Sequence, residues 1–342
     1  MLSPSQTWAR YKLRIKRKRL LWRAFRKRRE ISCISRKTGS IRAEDILLFA
    51  TVRNESLRLP YFLEHYRKLG VGHFLIVDND SDDGTREMLA AQADVSLWST
   101  AASYKAARFG MDWLTCLHWR YAHKRWIITV DADELLIYPH WDTQDLGGLA
   151  RVMENNGAFS VGALMLDMYP NGPVQDQTYR VGQDPTDVIP WFDAYGYWVQ
   201  KQPKMQNLWV QGGPRARCFF ADDPARAPTM NKIPFLRWDR SFVYVNSTHN
   251  ALPSRLNHTH GAGGSERPTG VLLHTKFLPD ASIRAQMEQV RCEHFADPTQ
   301  YDDYYAQVIG NPDFWCRDSV RYEGWRQLVD LGVMSEGTWP HS

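Results

Sequence analysis

Four short apolar runs alternate with helical patterns between residues 45 and 131, and this alternation constrains the fold more than any other feature. The runs cover residues 46–52, 73–77, 95–98 and 126–130, and apolar residues recur at helical spacing between them. The first run is almost continuously apolar, which is typical of a strand buried on both faces. Strands separated by helices pair in parallel through right-handed crossovers. The pattern therefore predicts an α/β fold with a mostly parallel sheet.

Clusters of polar residues follow three of the four predicted strands. The clusters are Arg53-Asn54-Glu55, Asp78-Asn79-Asp80 and Asp131-Ala132-Asp133. In open parallel sheets, ligands bind outside the carboxyl ends of the strands. Because all three clusters stand at such ends, we expect them on one rim of the sheet. This arrangement predicts a nucleotide-type site.

The segment Asp131-Ala132-Asp133 suggests a metal ion. Two carboxylates one residue apart, at the end of a buried strand, suit a divalent cation with oxygen ligands, either Mn²⁺ or Mg²⁺. Such a cation can bridge a diphosphate and neutralise the charge that grows as the bond to the sugar breaks. The alternative is an acidic turn that only caps the strand end.

These motifs resemble those of bacterial family-2-type glycosyltransferases, and in particular an Asp-x-Asp-Glu subgroup that acts in polysaccharide, capsule or lipopolysaccharide assembly. Residues 52–55, 77–85 and 131–135 carry the resemblance, and it continues more weakly through residues 212–217, 232–234, 247–249 and 273–277. It implies a glycosyltransferase A-type fold with a Rossmann-like nucleotide half, an irregular α+β acceptor half and C-terminal helices. It also implies a nucleotide-sugar donor and a saccharide or lipid-linked acceptor. We expect direct displacement by the acceptor hydroxyl and favour inversion, but the sequence leaves the choice between inversion and retention open.

The resemblance further implies roles for single residues. The base and ribose would be held by Thr51, Arg53, Glu55, Asp78 and Asn79. Asp131 would contact the ribose or the sugar, and Asp133 would bind the metal. The chain departs from the commonest family pattern at Asn79 and Asp80, where Asp-Gly is usual, and the identity of the base therefore stays open.

Several later residues are candidates for the metal and for phosphate. His274, after an apolar run, is the preferred further metal ligand over His249, and a hydrogen-bonded structural role is the alternative for both. Phosphate could be clamped by arginine, because guanidinium binds it bidentately. The cationic candidates are Lys105 with Arg108 and Arg215 with Arg217, with Lys232 and Lys276 less favoured, and a solvated basic face is the alternative.

Deprotonation of the acceptor hydroxyl requires a carboxylate, and the sequence leaves its identity open. Asp167, Asp193 and Asp222 are all available. We favour Asp193 because it stands among aromatic residues, as an acid in a sugar pocket would.

The first part of the chain is strongly basic. Residues 10–29 contain twelve Lys or Arg and no acid, and apolar side chains fall near one face of a helix there, namely Trp8, Tyr11, Ile15, Trp22 and Phe25. A basic amphipathic helix is typical of contact with an anionic membrane surface. A solvated tail and a nucleic-acid arm are the alternatives, and no nucleic acid is the expected partner. No apolar window is long enough to span a membrane, so we expect a cytoplasmic protein, peripheral on the inner membrane.

Changes in sequence texture divide the chain into four predicted parts. They are a basic arm over 1–41, a nucleotide-sugar-binding half over 42–140, an acceptor half over 141–280, and a C-terminal helical segment over 281–342. The last part carries Ile283, Met287 and Val290 on one stripe, and residues 257–270 are expected to form a loop. Five scattered cysteines without a Cys-x-x-Cys pair argue against a zinc site or a disulfide scaffold.

Two other functions compete with a glycosyltransferase. A nucleotidyltransferase on a related sheet would need a Gly-rich basic loop after the first strand, and the turn there, Arg53-Asn54-Glu55-Ser56, contains no glycine. A non-enzymatic membrane- or nucleic-acid-binding protein would depend on residues 10–29 and would have no affinity for nucleotide sugars. Two acidic turns on one rim argue against it, because without a metal they would repel phosphate.

Overall fold

The computed structural model describes residues 4–259, 267–291 and 302–339, in which short helices and strands alternate. The strands are β1 Ser32–Ser35, β2 Ile46–Val52, β3 Val71–Asp78, β4 Val95–Ser99, β5 Trp126–Thr129, β6 Glu134–Ile137, β7 Ser160–Asp167, β8 Trp191–Asp193, β9 Trp198–Lys201, β10 Leu208–Gln211, β11 Asn231–Arg237, β12 Val243–Tyr244, β13 Ala251–Leu252, β14 Gly270–His274 and β15 Ser319–Arg321. The helices are α1 Pro4–Lys27, α2 Leu59–Lys68, α3 Thr85–Ala91, α4 Met111–Tyr121, α5 Leu146–Asn155, α6 Gly213–Phe219, α7 Ala281–Arg291, α8 Asp302–Ile309 and α9 Trp325–Asp330.

The predicted parallel core of the sheet is confirmed. Strands β4, β3, β2 and β5 lie side by side in that order, and each neighbouring pair is parallel. Helices α2, α3 and α4 connect them, as the alternation of patterns predicts. The carboxyl ends of β2, β3 and β5 therefore meet on one rim.

Strands from the second half of the chain extend the same sheet. The full order is β1-β4-β3-β2-β5-β11-β7-β14-β6. Strand β11 is antiparallel to both β5 and β7, and β14 is parallel to β7 but antiparallel to β6. The predicted nucleotide half and acceptor half thus share one continuous nine-stranded sheet.

Alternate side chains of β2 enter two cores, one on each face of the sheet. Leu48 and Ala50 pack with the buried residues of α2 and α5, whereas Leu47 and Phe49 pack with Trp113 of α4. All five side chains are completely or almost completely buried. A strand covered by helices on both faces has no solvent-facing position, which explains the continuous apolar run.

The basic helix α1 packs onto the body of the protein through one face. Leu13 and Ala24 are buried there, and the Arg23 guanidinium pairs with the Asp112 carboxylate of α4 at 2.6 Å. The described part of the chain contains no helix long and apolar enough to cross a membrane.

The C-terminal helix α7 differs from its sequence interpretation. Ile283 and Met287 are exposed, whereas Ala281 and Ala285 pack into a cluster with α8 and Phe314. The apolar stripe is not the packed face of α7, because the helix packs through its small residues instead. The side chain of Val290 lies outside the described residues. Residues 260–266 of the predicted 257–270 loop also lie outside them.

Candidate functional site

A cleft of about 570 Å³ opens at the rim where the parallel strands end. Residues from both sequence halves and from α7 line it. They include Thr51, Arg53, Glu55, Asn79, Tyr104, Phe109, Asp131, Asp133, Glu134, Arg215, Lys232, His249, His274, Lys276, Arg284, Glu288 and Arg291. Most of the polar residues predicted for a donor site therefore meet in one place.

The turns after β2 and β3 are joined by hydrogen bonds, which fixes the rim. The backbone N–H groups of Asn54, Glu55 and Ser56 donate to the side chains of Ser81, Thr85 and Asp83, at 2.9–3.0 Å. The acidic turn at 78–83 and the first residue of α3 thus hold the neighbouring turn in position. Asn54 adopts a left-handed conformation with φ 52°, which asparagine tolerates better than most residues.

The segment Asp131-Ala132-Asp133 crosses the ends of the neighbouring strands, because β5 and β6 are separated in the sheet by β11, β7 and β14. Lys232 of β11 lies beneath it and pairs with Asp131 at 3.0 Å and with Glu134 at 2.8 Å. Burial lowers the pKa of Lys232, but the two carboxylates outweigh it and raise that pKa above its ordinary value. The buried lysine therefore stays charged and anchors the acidic segment.

Asp133 belongs to a second buried chain of charges. His274 Nε2 lies 3.2 Å from Asp133 Oδ2, and its Nδ1 lies 2.5 Å from Asp167 Oδ1. Arg215 pairs with the other oxygen of Asp167 at 2.7 Å. Burial raises the pKa of Asp133, but the charge of His274 and nearby cations outweigh it and hold that pKa well below its usual range. Burial lowers the pKa of His274, and its two carboxylate partners more than reverse this.

Asp133 and His274 fit the predicted metal as two adjacent ligands. Two ligands about 2.1 Å from one octahedral ion lie about 3 Å apart, close to the 3.2 Å between Asp133 Oδ2 and His274 Nε2. Within residues 4–259, 267–291 and 302–339, no group of three or more His, Cys, Asp or Glu side chains could hold a metal ion. A site of this kind would take its other ligands from water and from substrate phosphate, as Mg²⁺ sites commonly do.

Glu55 is held by two arginines rather than left open to the cleft. Arg284 of α7 forms a two-pronged ion pair with its carboxylate, one bond being 3.0 Å long. Arg58 donates to Glu55 at 3.3 Å and to both oxygens of Asp280, at 2.7 and 3.0 Å. Burial raises the pKa of Glu55, although the two guanidiniums oppose this. This network fixes α7 to the rim.

One end of the cleft is formed by Asn79 and aromatic rings. The Asn79 amide donates to the carbonyls of Thr100 and Ala102, both at 3.0 Å, and accepts from Arg291 at 2.5 Å. Arg291 also lies over the Tyr104 ring, with 5.9 Å to its centroid. The side chain of Asn79 is therefore occupied within the protein, and it positions Arg291.

Two predicted donor-binding residues are not among those that line the cleft. Asp78 is buried and bound by Arg86 at 2.9 and 3.0 Å. Arg108 donates to Asp112 at 2.8 Å and to the carbonyl of Tyr244 at 2.9 Å. Each of the two side chains forms an ion pair with a neighbouring residue instead of lining the cleft.

Asp193 and Arg217 also lie outside the residues that line the cleft. They pair with each other at 3.0 Å, and Asp193 accepts a further hydrogen bond from the Tyr169 hydroxyl. The structure thus does not bring the favoured base to the cleft. Asp167 is enclosed between His274 and Arg215, and Asp222 is exposed beyond α6.

His249 lines the cleft, but among the described residues the histidine that contacts Asp133 is His274. Its Nδ1 lies 2.6 Å from the carbonyl of Asn231, and burial, reinforced by Lys232, lowers its pKa to about 3. It is a neutral, hydrogen-bonded histidine, in keeping with the structural alternative.

Three charged residues of α7 reach the cleft that the sequence interpretation missed. Arg284, Glu288 and Arg291 are spaced at i, i+4 and i+7, so they share one helix face. The i, i+4, i+7 spacing of these charged residues is visible in the sequence and could have indicated a common helix face. The sequence interpretation considered only the apolar stripe on a different face of the same helix.

Comparison with known proteins gives little further information. No protein-family model and no curated protein matches the chain. Among solved structures, 4-diphosphocytidyl-2C-methyl-D-erythritol synthase has a TM-score of 0.24 and 16% identity over 41% of this chain and 66% of its own. A Bacillus anthracis protein described as a glucose-1-phosphate thymidylyltransferase, in complex with sucrose, has a TM-score of 0.25 and 10% identity over 39% and 58%. The chain covers less than two thirds of the length of either protein. At TM-scores this low, the similarities do not indicate an activity for this chain.

Proposed function

We propose that the protein is a metal-dependent glycosyltransferase. It would move a sugar from a nucleotide-sugar donor to a saccharide or lipid-linked acceptor in the assembly of a bacterial surface polysaccharide. The observation that carries the proposal is the 3.2 Å approach of Asp133 and His274 at the strand ends, inside a cleft lined by cations. A metal-ligand pair beside several cations is a suitable receptor for a diphosphate.

The two ends of the cleft suit the two parts of such a donor. Asp133 and His274 would hold the Mn²⁺ or Mg²⁺ ion, which when bound would neutralise charge on the leaving diphosphate. Lys276 lines the same part of the cleft, and in the described chain no carboxylate lies within 4 Å of its ammonium group. It is therefore available to phosphate. Thr51, with a buried hydroxyl that has no hydrogen-bond partner among the described residues, would face the nucleoside.

The residues behind the metal pair would keep it oriented. Asp167 accepts from His274 Nδ1 and so directs Nε2 of the same ring towards Asp133. Arg215 balances the charge of Asp167. Removal of either partner would let the imidazole rotate.

A carboxylate in the cleft would act as the base that removes the proton from the acceptor hydroxyl. The Asp131 side chain is 41% exposed and that of Glu288 26%, whereas those of Glu55 and Glu134 are 8% and 1% exposed. Asp131 and Glu288 are therefore the accessible candidates, in place of Asp193.

The proposal is tested by thermal shift and donor hydrolysis with UDP-, GDP-, CMP- and dTDP-sugars, each with and without Mn²⁺ or Mg²⁺. We expect at least one donor to stabilise the protein in a metal-dependent way, by about 2.7 kcal/mol at a hundred times its dissociation constant. Asp133→Asn should abolish both effects, and Asp193→Asn, outside the cleft, should preserve them.

Two outcomes would reject the proposal. Stabilisation by none of the donors would remove the donor site, and unchanged hydrolysis by Asp133→Asn would remove the metal role. Release of pyrophosphate from a nucleoside triphosphate and a sugar 1-phosphate would instead assign the cleft to a nucleotidyltransferase.

A further inference from the structure

Helix α1 has an outward face that carries large aromatic side chains. Trp8 is 57% exposed, Tyr11 51%, Trp22 62% and Phe25 50%. At 3.6 residues per turn, these four residues and Ile15 lie within about 100° of the helix circumference. The predicted stripe therefore exists and faces away from the protein.

The opposite face of α1 is the one that packs onto the body. Leu13 is buried with Val243 and Leu252, and Leu20 and Leu21 pack against the same cluster. The ion pair of Arg23 with Asp112 fixes the helix onto α4. Because α1 is held along this face, the aromatic side chains are presented outward by a fixed helix rather than by a free tail.

The positive charge of α1 is largely unbalanced. No acidic residue occurs between positions 4 and 29. Over the residues that the structure describes, only Arg23 and Lys27 of α1 have a carboxylate within 4 Å. Burial and the neighbouring cations Lys204 and Arg108 lower the pKa of Lys16. Lys204, in the turn between β9 and β10, and Arg108, just before α4, thus add positive charge beside α1, and an anionic partner would relieve the repulsion.

We infer that this face of α1 docks on an anionic lipid bilayer. Aromatic rings flanked by lysine and arginine match the boundary between acyl chains and headgroups. Single-stranded nucleic acid is the less suitable occupant, because the rings stack on each other rather than standing open to bases. Trp8 stacks on Tyr11 and Trp22 on Phe25, with 5.6 Å between ring centroids in both pairs.

Docking through this face would hold the whole protein at the membrane surface without any spanning segment. The inference does not depend on the proposed enzymatic activity, because α1 contributes no residue to the lining of the cleft. If the activity is as proposed, docking would bring the cleft to the surface where a lipid-linked acceptor resides.

The test is co-sedimentation of the full chain with vesicles of phosphatidylcholine alone or with about 30 mol% phosphatidylglycerol, with tryptophan fluorescence recorded in parallel. We expect binding to the anionic vesicles only, with a blue-shifted emission, and at least tenfold weaker binding when salt rises from about 0.1 to 0.5 M. The variant Trp8→Ser/Trp22→Ser/Phe25→Ser should lose binding at least tenfold.

A matched control changes exposed aromatic residues elsewhere. Tyr195 is 66% exposed and Trp315 41%, and Tyr195→Ser/Trp315→Ser should bind vesicles like the wild type. Equal melting temperatures would show that both variants fold, and equal donor hydrolysis in solution would separate docking from catalysis. Binding that is absent, indifferent to lipid charge or unaffected by the triple variant would overturn the inference. So would tight binding of single-stranded DNA, without vesicle binding, that the triple variant loses.

Discussion

Two buried cations determine how the acidic residues of the cleft are held. Lys232 lies between Asp131 and Glu134, and Arg215 holds Asp167 against His274. Removing one partner from a buried ion pair leaves an uncompensated charge, which is strongly unfavourable. Each cation is therefore required by its neighbours, whether or not it contacts a substrate.

Replacing Lys232 with methionine should destabilise the protein severely. The variant keeps the volume of the side chain but leaves the buried Glu134 beside Asp131 without a counter-charge. We expect the free energy of unfolding to fall by about 3–5 kcal/mol, measured by urea denaturation at pH 7.5. Lys276→Met is the matched control, and a loss of similar size there would contradict the role given to Lys232.

Replacing Arg215 with lysine should impair donor turnover through His274. A lysine cannot reproduce the planar guanidinium contact with Asp167, so the imidazole would be less firmly oriented. We expect kcat for donor hydrolysis to fall about 10- to 100-fold, the range for lost outer-shell partners of metal ligands. Arg217→Lys, on the same short helix but paired outside the cleft, should leave kcat unchanged. Equal effects of the two variants would argue for a general role of α6.

At the scale of elements, the parallel strands were predictable and their antiparallel neighbours were not. The bounds of β2 agree with the apolar run over 46–52, because a strand buried on both faces is apolar along its whole length. Strand β14 pairs in parallel with β7 and antiparallel with β6, an arrangement fixed by contacts between residues far apart in sequence. No local pattern encodes that choice.

The same distinction explains which site residues could be found. Asp131, Asp133, Glu55 and Asn79 follow predicted strands, so the rim rule places them together. Arg284 and Arg291 reach the cleft only because α7 packs back onto the rim, which depends on the buried network of Arg58 and Asp280. Asp193 failed as a cleft residue because its aromatic neighbours belong to another part of the core.

The connection from β4 to α4 depends on a glycine. Arg108, Phe109 and Gly110 all have positive φ, and a Cβ on Gly110 would lie 2.5 Å from the Thr51 hydroxyl oxygen. Gly110→Ala should therefore lower the free energy of unfolding by about 2–4 kcal/mol, from backbone strain plus the clash. Gly84→Ala, with positive φ but no atom within 4 Å, should show the strain of about 1–2 kcal/mol alone, and equal losses would exclude the clash.

At the scale of the whole molecule, three buried histidines should make stability depend on pH. Burial, the largest cause in each, lowers the pKa of His65 to about 4, and of His118 and His249 to about 3. In the unfolded chain their pKa is about 6.5, so between pH 6.5 and 4 the unfolded state binds protons that the native state does not. The contribution of these three histidines to stability is therefore complete above pH 6.5 and is lost as the pH falls.

The expected slope is measurable by urea denaturation between pH 7 and pH 4.5. Each histidine contributes about 1.4 kcal/mol per pH unit in the steep region. Glu134 opposes them by a similar amount, because burial raises its pKa to about 7 and its native carboxyl binds a proton that the unfolded chain does not. Glu55, whose pKa burial also raises, acts in the same direction as Glu134. His118→Asn removes one of the three groups and should reduce the slope by about 1.4 kcal/mol per unit, whatever its effect on stability at pH 7. An unchanged slope would show that His118 is not neutral in the native protein.

The order of the nine-stranded sheet has a consequence for biosynthesis. Strand β6 lies at one edge of the described sheet, where its partner is β14. During translation, β6 therefore has no strand to pair with until residue 274 has been made. At about 5–20 residues per second, that delay lasts roughly 7–27 s. During it, the nascent chain exposes the apolar β6, and until β11 has been made it also exposes the second edge of β5. Unpaired strand edges of this kind are templates for pairing with other chains. A protein with this strand order would rely on chaperones while it is being translated.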